Sequence, residues 1–229
     1  MEYVMELNDG TLQVLKNFSG INPNIIIKSG NVIKTISEAK NVLVRAEVDN
    51  DFPQDFGIYD LNEFIGVLSL VDKPNLSFSE NFVTIGDSSG LSKIKYFFSA
   101  EDTLTTPQKD INMPDTEISF TLESTTLDKI KRAASTLGHN EVVIKPGNGC
   151  ITISVTETQN STANSFDIDI AGEYTEGQNF RMILDINNLK IIPGDYEVKL
   201  SSKLISQFTH KDMNLNYWIA LEKTSTFGV

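Results

Sequence analysis

Thiols, imidazoles and positive charge are all scarce in this chain of 229 residues. It holds one cysteine, two histidines, and 19 lysines and arginines against 31 aspartates and glutamates. A lone Cys150 excludes an internal disulfide and a thiolate zinc site, and within a strand its thiol acts as a small apolar group. His139 follows a predicted helix and His210 ends a predicted strand; neither has a nucleophile near it in sequence, and both read as plain polar positions. The net charge of -12 argues against gripping nucleic acid by bulk phosphate neutralisation, but it does not say how the charge is arranged. No run approaches the roughly 20 consecutive apolar residues of a membrane span. The start MEYVMELNDG lacks a basic-then-apolar signal pattern, so the expectation is a soluble protein that stays in the cytoplasm. The glycine-rich turns KSGN, KPGNG and GDSSG lack the Gly-Lys-Ser/Thr ending of a phosphate loop and read as hairpin turns.

What the chain does have is apolar material and a repeat. A hydrophobic fraction of 40% with 13 phenylalanines is ample for packed cores. The stretch from Ile25 to Ile36, IIIKSGNVIKTI, reads as a hairpin around a Ser-Gly-Asn turn. Its Ile27, Lys28, Gly30, Asn31, Thr35 and Ile36 recur as Ile144, Lys145, Gly147, Asn148, Thr152 and Ile153, at one constant spacing. The elements around the two hairpins match as well. YVMEL predicts a strand and NDGTLQVLKNF a helix capped by Asp9 with Leu12, Leu15 and Phe18 on one face. Asp60 and Glu63 start a second, short helix carrying Leu61, Phe64, Ile65 and Leu68. In the second half, EISFTLES is a strand. TTLDKIKRAASTLG is a helix with Leu127, Ile130, Ala134 and Leu137 on one face, Thr125 and Asp128 at capping-box spacing, and Gly138 placed to end it. NFRMILDINNLK echoes DFGIYDLNEFIG and predicts a fourth helix ending at Lys190. Ser99 to Thr116 has two prolines and no apolar period, so it predicts a linker between domains at 1–98 and 117–229. Each half is then an α+β domain of antiparallel strands with two helices on one sheet face, and the pair would set four helices on a common side.

That side carries the basic residues: Lys16 on the first helix, Lys129, Lys131 and Arg132 on the third, and Lys190 at the end of the fourth. Cations near helix C-termini also complement the helix dipole, which is reason enough for any one of them. Together, on an acidic chain, they suggest duplex DNA held weakly by phosphate contacts without sequence readout.

Four stretches in order, LKNFSGINPNIIIKSG, IYDLNEFIGVLSLV, DINNLKIIPGDYEVKL and NYWIALEKTST, give the chain a resemblance, over essentially its whole length, to the sliding clamps (DNA polymerase processivity factors) of T-even-type bacteriophages. The resemblance implies duplicated DNA-clamp domains in a homotrimeric ring, with antiparallel sheets outside and paired helices lining a hole around double-stranded DNA. It implies Lys16, Lys129, Lys131, Arg132 and Lys190 as DNA-facing residues, no cofactor, no metal and no catalytic residue. Its implied partners are a clamp loader ATPase, the C-terminal peptide of the replicative DNA polymerase and, further off, transcription factors; its setting is the cytoplasm of the infected bacterial host. The peptide pocket is expected near the connector, with Phe97 and Phe98 as candidates and Tyr217 and Trp218 behind them. Adjacent strand residues point to opposite faces, so one of each pair should be core. The subunit joint is expected to pair edge strands, SKIKYFFS and NSFDIDIAG.

Two other classes stay open on sequence. Asp167 and Asp169 in FDIDI share a strand face and could hold magnesium for a metal-dependent nuclease, although alternating Asp and Ile also describes a half-buried strand. A structural phage protein or an interaction module of duplicated β domains would carry the same repeat.

Overall fold

A computed structural model describes residues 4–87 and 91–228. Tyr3 of the first predicted strand and the Ser88-Ser89-Gly90 part of the GDSSG turn lie outside them. The chain divides into two compact units, Met1–Lys109 and Asp110–Val229.

The first unit runs β1 (Val4–Glu6), α1 (Asp9–Ser19), β2 (Ile25–Ile27), β3 (Gly30–Ile36), β4 (Val42–Phe52), β5 (Phe56–Ile58), α2 (Leu61–Leu68), β6 (Asn75–Phe78), β7 (Phe82–Gly86) and β8 (Lys93–Phe97). Strands β1, β6, β7 and β8 form one antiparallel sheet in that order, β3 pairs with β4, and β2 pairs with β5. Helix α1 packs on α2 and on β4. Its cap is Asn8 rather than Asp9: the Asn8 carboxamide oxygen accepts from the Thr11 N–H at 2.7 Å, leaving Asp9 as a first-turn acid that favours the positive helix end. The buried positions are Thr11, Val14, Leu15 and Phe18, and Leu12 faces partly outward. Asp60 caps α2 as its spacing predicts, one carboxylate oxygen accepting from the N–H groups of Asn62 and Glu63 at 3.0 Å each.

The second unit runs β9 (Ile118–Leu122), α3 (Ser124–Leu137), β10 (Glu141–Pro146), β11 (Ile151–Thr156), β12 (Phe166–Ile170), β13 (Gly172–Tyr174), β14 (Phe180–Asp185), β15 (Tyr196–Ser201), β16 (Ile205–His210), β17 (Leu215–Ala220) and β18 (Thr226–Phe227). Its strands form two antiparallel runs, β12-β11-β10-β14-β18 and β13-β9-β15-β16-β17. Helix α3 packs on β11. Gly138 ends it in the left-handed region (φ 71), where a side chain would be strained. The expected Thr125–Asp128 box is not the cap. Glu123 holds that position without a side-chain bond, and the Ser124 N–H is taken by the Asp195 carboxylate at 2.8 Å.

Two expectations of the repeat are corrected. The fourth helix is a single 3-10 turn, Ile186–Asn188. Asp185 does cap it, accepting from Asn187 N–H at 2.8 Å, but two asparagines and a run of β-branched Ile191 and Ile192 into Pro193 oppose propagation. The described chain therefore has three α-helices, and only the first unit has a helix pair. The first hairpin also does not close as a ladder. β10 and β11 pair with Ile144 opposite Ile153 and a turn closed by Gly147 N–H to Cys150 O at 2.8 Å. β2 and β3 instead turn away to β5 and β4 respectively. The Ser29 N–H is drawn off to the Asp55 carboxylate at 2.7 Å, and Lys28 sits between Asp55 at 3.0 Å and Glu101 at 2.7 Å.

Residues after β8 are tied to the first unit. Ser99 N–H donates to Gly57 O at 2.9 Å, and Thr105 is held by Asn24 Oδ1 at its N–H (2.8 Å) and by Asn22 Nδ2 at its carbonyl (3.2 Å). A Cβ on Gly57 would stand 2.5 Å from a Leu104 methyl and 2.6 Å from Ser99 O, so glycine is required for this close approach. Sequence reading passed over Asn22, Asn24 and Gly57; the Asn-Pro-Asn turn is the signal that marks the first two.

Candidate functional site

The buried slots of α1 stand at i, i+3, i+4 and i+7: Thr11, Val14, Leu15 and Phe18. On an α-helix these share one face. Lys16 falls opposite them and is exposed. The same four slots on α3 are Leu127, Ile130, Lys131 and Ala134. Lys129 and Arg132 lie outside the set and are exposed, with Arg132 Nε donating to the Asp128 carbonyl one turn back at 3.4 Å. Lys131 occupies a core-side slot and is half-buried. Burial lowers its pKa, opposed by the charge of Asp128, as desolvation of an ammonium requires. Its stem covers apolar surface while the amine reaches for water, so Lys131 flanks the basic face rather than standing on it. Lys190 is exposed beyond the 3-10 turn.

Lys129 and Arg132 line one hollow of about 420 Å³ with Ala133, Thr136, Leu137 and Phe166. Lys16 belongs to another, about 500 Å³, between α1 and α2, whose apolar floor includes Leu12 and Leu68 and whose rim includes Asp9, Asp72 and Lys73. Lys73 was not singled out by the sequence. It takes a positive φ of 48 after α2, and its location becomes visible only once that helix is placed. The exposed face of α2 itself carries Asn62, Glu63 and Gly66 and no basic residue, so the positive charge is uneven between the units.

The aromatic candidates separate by strand parity. Phe98 stacks on Phe56 with ring centroids 5.1 Å apart, and Phe56 continues to Phe52 and Phe78. Phe97 is 65% exposed on the opposite face, against Phe82 at 5.6 Å. Tyr217 is 0% exposed, its oxygen accepting from the Ile192 N–H at 3.1 Å. A residue with no accessible surface cannot line a docking pocket, so it is corrected to core. Trp218, its neighbour in β17, is half-buried on the other face, with an indole N–H that is buried and has no acceptor among the described residues. Such a donor is costly to leave unmade.

Asp167 and Asp169 do share a face, and both are engaged. Asp167 accepts from the Ser154 hydroxyl and lies 3.6 Å from Lys145 Nζ; Asp169 accepts from Thr152 Oγ1 at 2.6 Å. The Ser154 bond, with smaller help from Lys145 and Ser165 against burial, lowers the Asp167 pKa. Among the described residues no three His, Cys, Asp or Glu side chains are grouped to hold a metal ion, and no helix is long and apolar enough to cross a membrane. His210 is buried against Tyr196 at 4.9 Å, and its Nδ1 accepts from the Asp212 N–H.

Comparison with known proteins covers both units. The family model described as DNA polymerase processivity factor matches residues 8–104, and that described as gp45 sliding clamp, C terminal, matches residues 119–223. The sliding clamp of Vibrio phage KVP40 is 33% identical over 223 residues, 95% of this chain and 99% of the relative. That of Enterobacteria phage T4 is 30% identical over 229 residues, 97% and 99% of the two chains. Among solved structures, A. fulgidus PCNA, crystallised with the C-terminal region of FEN-1 bound, superposes with a TM-score of 0.71 at 12% identity, covering 98% of this chain and 99% of that one. At that identity the likeness speaks for the fold alone.

Proposed function

The chain belongs to the sliding clamps, the DNA polymerase processivity factors of T4-like phages, and from that premise we propose that it closes into a homotrimeric ring around duplex DNA. Its fold is the PCNA-like clamp fold. In this reading the domains are 1–98 and 117–229, joined by a connector at 99–116, with helices toward the hole and sheets outside. Lys16, Lys129, Arg132 and Lys190 meet phosphates, with Lys131 and Lys73 at the margin. The ring is opened and placed on primer-template junctions by an ATP-dependent loader and hydrolyses nothing itself. It works in the cytoplasm of the infected bacterium. The polymerase's C-terminal peptide docks beside the connector, where Phe97 and Phe98 offer apolar contact.

The observation that carries the DNA reading is the exposed pair Lys129 and Arg132 on a chain of net charge -12. Exposed positive charge of this kind suits weak, sequence-independent phosphate contact. Topology then has to supply retention. After loading, the protein should persist on a nicked circle and leave a linear duplex through its free ends, with a solution mass near three times the 25.4 kDa chain. Lys129→Glu with Arg132→Glu should cut retention on the circle at least about tenfold and leave mass and folding unchanged, since exposed substitutions cost little stability. Equal retention on both templates, or an unaffected charge-reversed pair, would sink the reading.

A further inference from the structure

The two copies of the domain differ in one connection. In the first unit residues 37–41, between β3 and β4, close tightly, and the Ser37 hydroxyl accepts from the N–H groups of Asn41 and Val42 at 3.2 and 3.0 Å. The counterpart in the second unit, 157–165 between β11 and β12, is longer and is built mostly of small polar residues. Its own bonds hold it: Asn160 N–H donates to Glu157 O, and the Thr162 N–H and hydroxyl donate to Asn160 Oδ1 at 3.1 and 2.9 Å. It borders a cavity of about 570 Å³ against β10, β11, β12 and β14. A loop lengthened in one copy of a duplicated scaffold, and ordered over a cavity, is a place where function is carried.

Strand parity puts the cavity's charged residues on the sheet face away from α3. Phe166 lines the hollow at α3 and stands opposite Val155. Lys145, Ser154, Asp167 and Arg181 alternate with that face. Here donors outnumber the acceptors left to receive them. Asp167 already accepts from the Ser154 and Ser165 hydroxyls and faces Lys145 Nζ at 3.6 Å. The Glu141 carboxylate takes the Thr158 N–H. Arg181 is half-buried, and among the described residues its guanidinium has no ion pair and no hydrogen bond. The Thr158 hydroxyl is buried and has no partner among them either. A guanidinium and a hydroxyl left unmade in one cavity are costly. On a chain of 31 aspartates and glutamates against 19 lysines and arginines, a carboxylate partner from within would be easy to supply.

We propose that this cavity docks a carboxylate of a partner protein, an Asp or Glu side chain on an extended peptide, with Arg181 as its main holder and Thr158 and Lys145 beside it. A guanidinium meets a carboxylate through two parallel N–H bonds. Asp167 within the cavity and exposed Glu157 on its rim repel any anion, and they repel a phosphate dianion more than a single carboxylate. Nucleic acid is disfavoured on the same ground, and the site lies on the opposite face from α3, whose Lys129 and Arg132 carry the DNA reading. The proposal goes beyond the clamp reading, because it needs the second unit alone and a site apart from the peptide pocket beside the connector.

The chain has three arginines, Arg45, Arg132 and Arg181, so the isotope-labelled full chain gives three guanidinium Nε–H resonances, and Arg181→Lys identifies the one in the cavity. Titration with acetyl-Gly-Glu-Gly-amide should move that resonance to saturation with a Kd of about 1 mM and leave the other two in place. Acetyl-Gly-Gln-Gly-amide, which lacks the charge, should bind at least about tenfold more weakly. Thr158→Val should weaken the glutamate peptide about threefold or more, with the unmoved Arg45 and Arg132 resonances as the check on folding. Equal binding of the two peptides, tighter binding of inorganic phosphate, or a larger shift from a short DNA duplex overturns the carboxylate assignment. No saturable shift by about 10 mM peptide overturns the site. Arg181→Gln should leave retention on the nicked circle unchanged; lost retention would mean that Arg181 serves the ring or its DNA instead, whereas an unchanged protein that never stays on the circle sinks the clamp reading and leaves this site standing.

Discussion

Helices α1 and α3 present the same four slots to the strands beneath them, filled with Thr11, Val14, Leu15 and Phe18 on one and Leu127, Ile130, Lys131 and Ala134 on the other. The first slot grows from Thr to Leu where the last shrinks from Phe to Ala, and a charged stem replaces Leu15. Two copies of one domain can thus keep a face and redistribute the volume that fills it, since packed cores tolerate exchange when total volume is preserved. The sharpest break of that balance is at the last slot. Phe18 is 0% exposed, so Phe18→Ala should cost about 3–5 kcal/mol. Ala134, at 5%, should resist Ala134→Phe by about 1–3 kcal/mol through overpacking. Urea unfolding midpoints decide it. Equal costs in the two directions would mean that the slots are not counterparts.

The repeated turn glycines differ in the same instructive way. Gly147 has an ordinary backbone, but a Cβ there would stand 2.6 Å from Cys150 Sγ and 2.7 Å from Thr152 Oγ1. Gly30 has open space around it and a φ of 105. One position is glycine for want of room, the other for want of an allowed side-chain conformation. Gly147→Ala should therefore destabilise by about 1–3 kcal/mol, with relief when Cys150 is made smaller by Cys150→Ala. Gly30→Ala should cost about 1 kcal/mol, with no relief from any neighbour. Thermal melts of the single and double variants separate the two causes.

These cases also show what could be read from the chain alone. The duplication was legible because the residues of Ile27 to Ile36 had to keep identity at a fixed spacing, and Asp60 and Gly138 were legible because capping is a local matter of one side chain or one φ. The fourth helix was not, because DINNLK copies the cap of DLNEFI without its propagating residues. The separation of β2 from β3 was hidden in a contact with Asp55, which lies far along the chain. For the candidate site, charge was readable and direction only partly so. Counting lysines on α3 gathers Lys131 with Lys129 and Arg132, and only the slot pattern of α1 shows it leaning toward the core. Parity in the strands did foretell that Tyr217 and Trp218 would part company.

The smallest and most diagnostic contrast lies in the lysines of the repeated hairpin. Lys28 pairs with both Asp55 and Glu101. Lys145, its counterpart, has among the described residues Asp167 alone at 3.6 Å. All are about half exposed, so each pair is worth little. Lys28→Met should cost about 0.5–1 kcal/mol and Lys145→Met no more than about a few tenths, both shrinking in high salt. Their pH dependence differs in kind. The Lys28 pKa is raised above 10.5, first by its bond to Glu101 and then by that to Asp55, and the Asp55 pKa is lowered below 3.8 by the Ser29 N–H and then by Lys28. A raised lysine contributes fully below its ordinary value and loses that contribution as pH rises through the folded one. A lowered carboxylate contributes above its ordinary value and loses it as pH falls through the folded one. The difference between the unchanged protein and Lys28→Met should thus be flat between these limits and vanish beyond both. Asp167 is lowered first by the Ser154 hydroxyl, which Lys145→Met leaves in place, so its acid limb should largely survive that substitution and shrink most with Ser154→Ala. Stability curves of the three variants across pH would reverse this ranking only if Lys145, not Ser154, holds the Asp167 carboxylate.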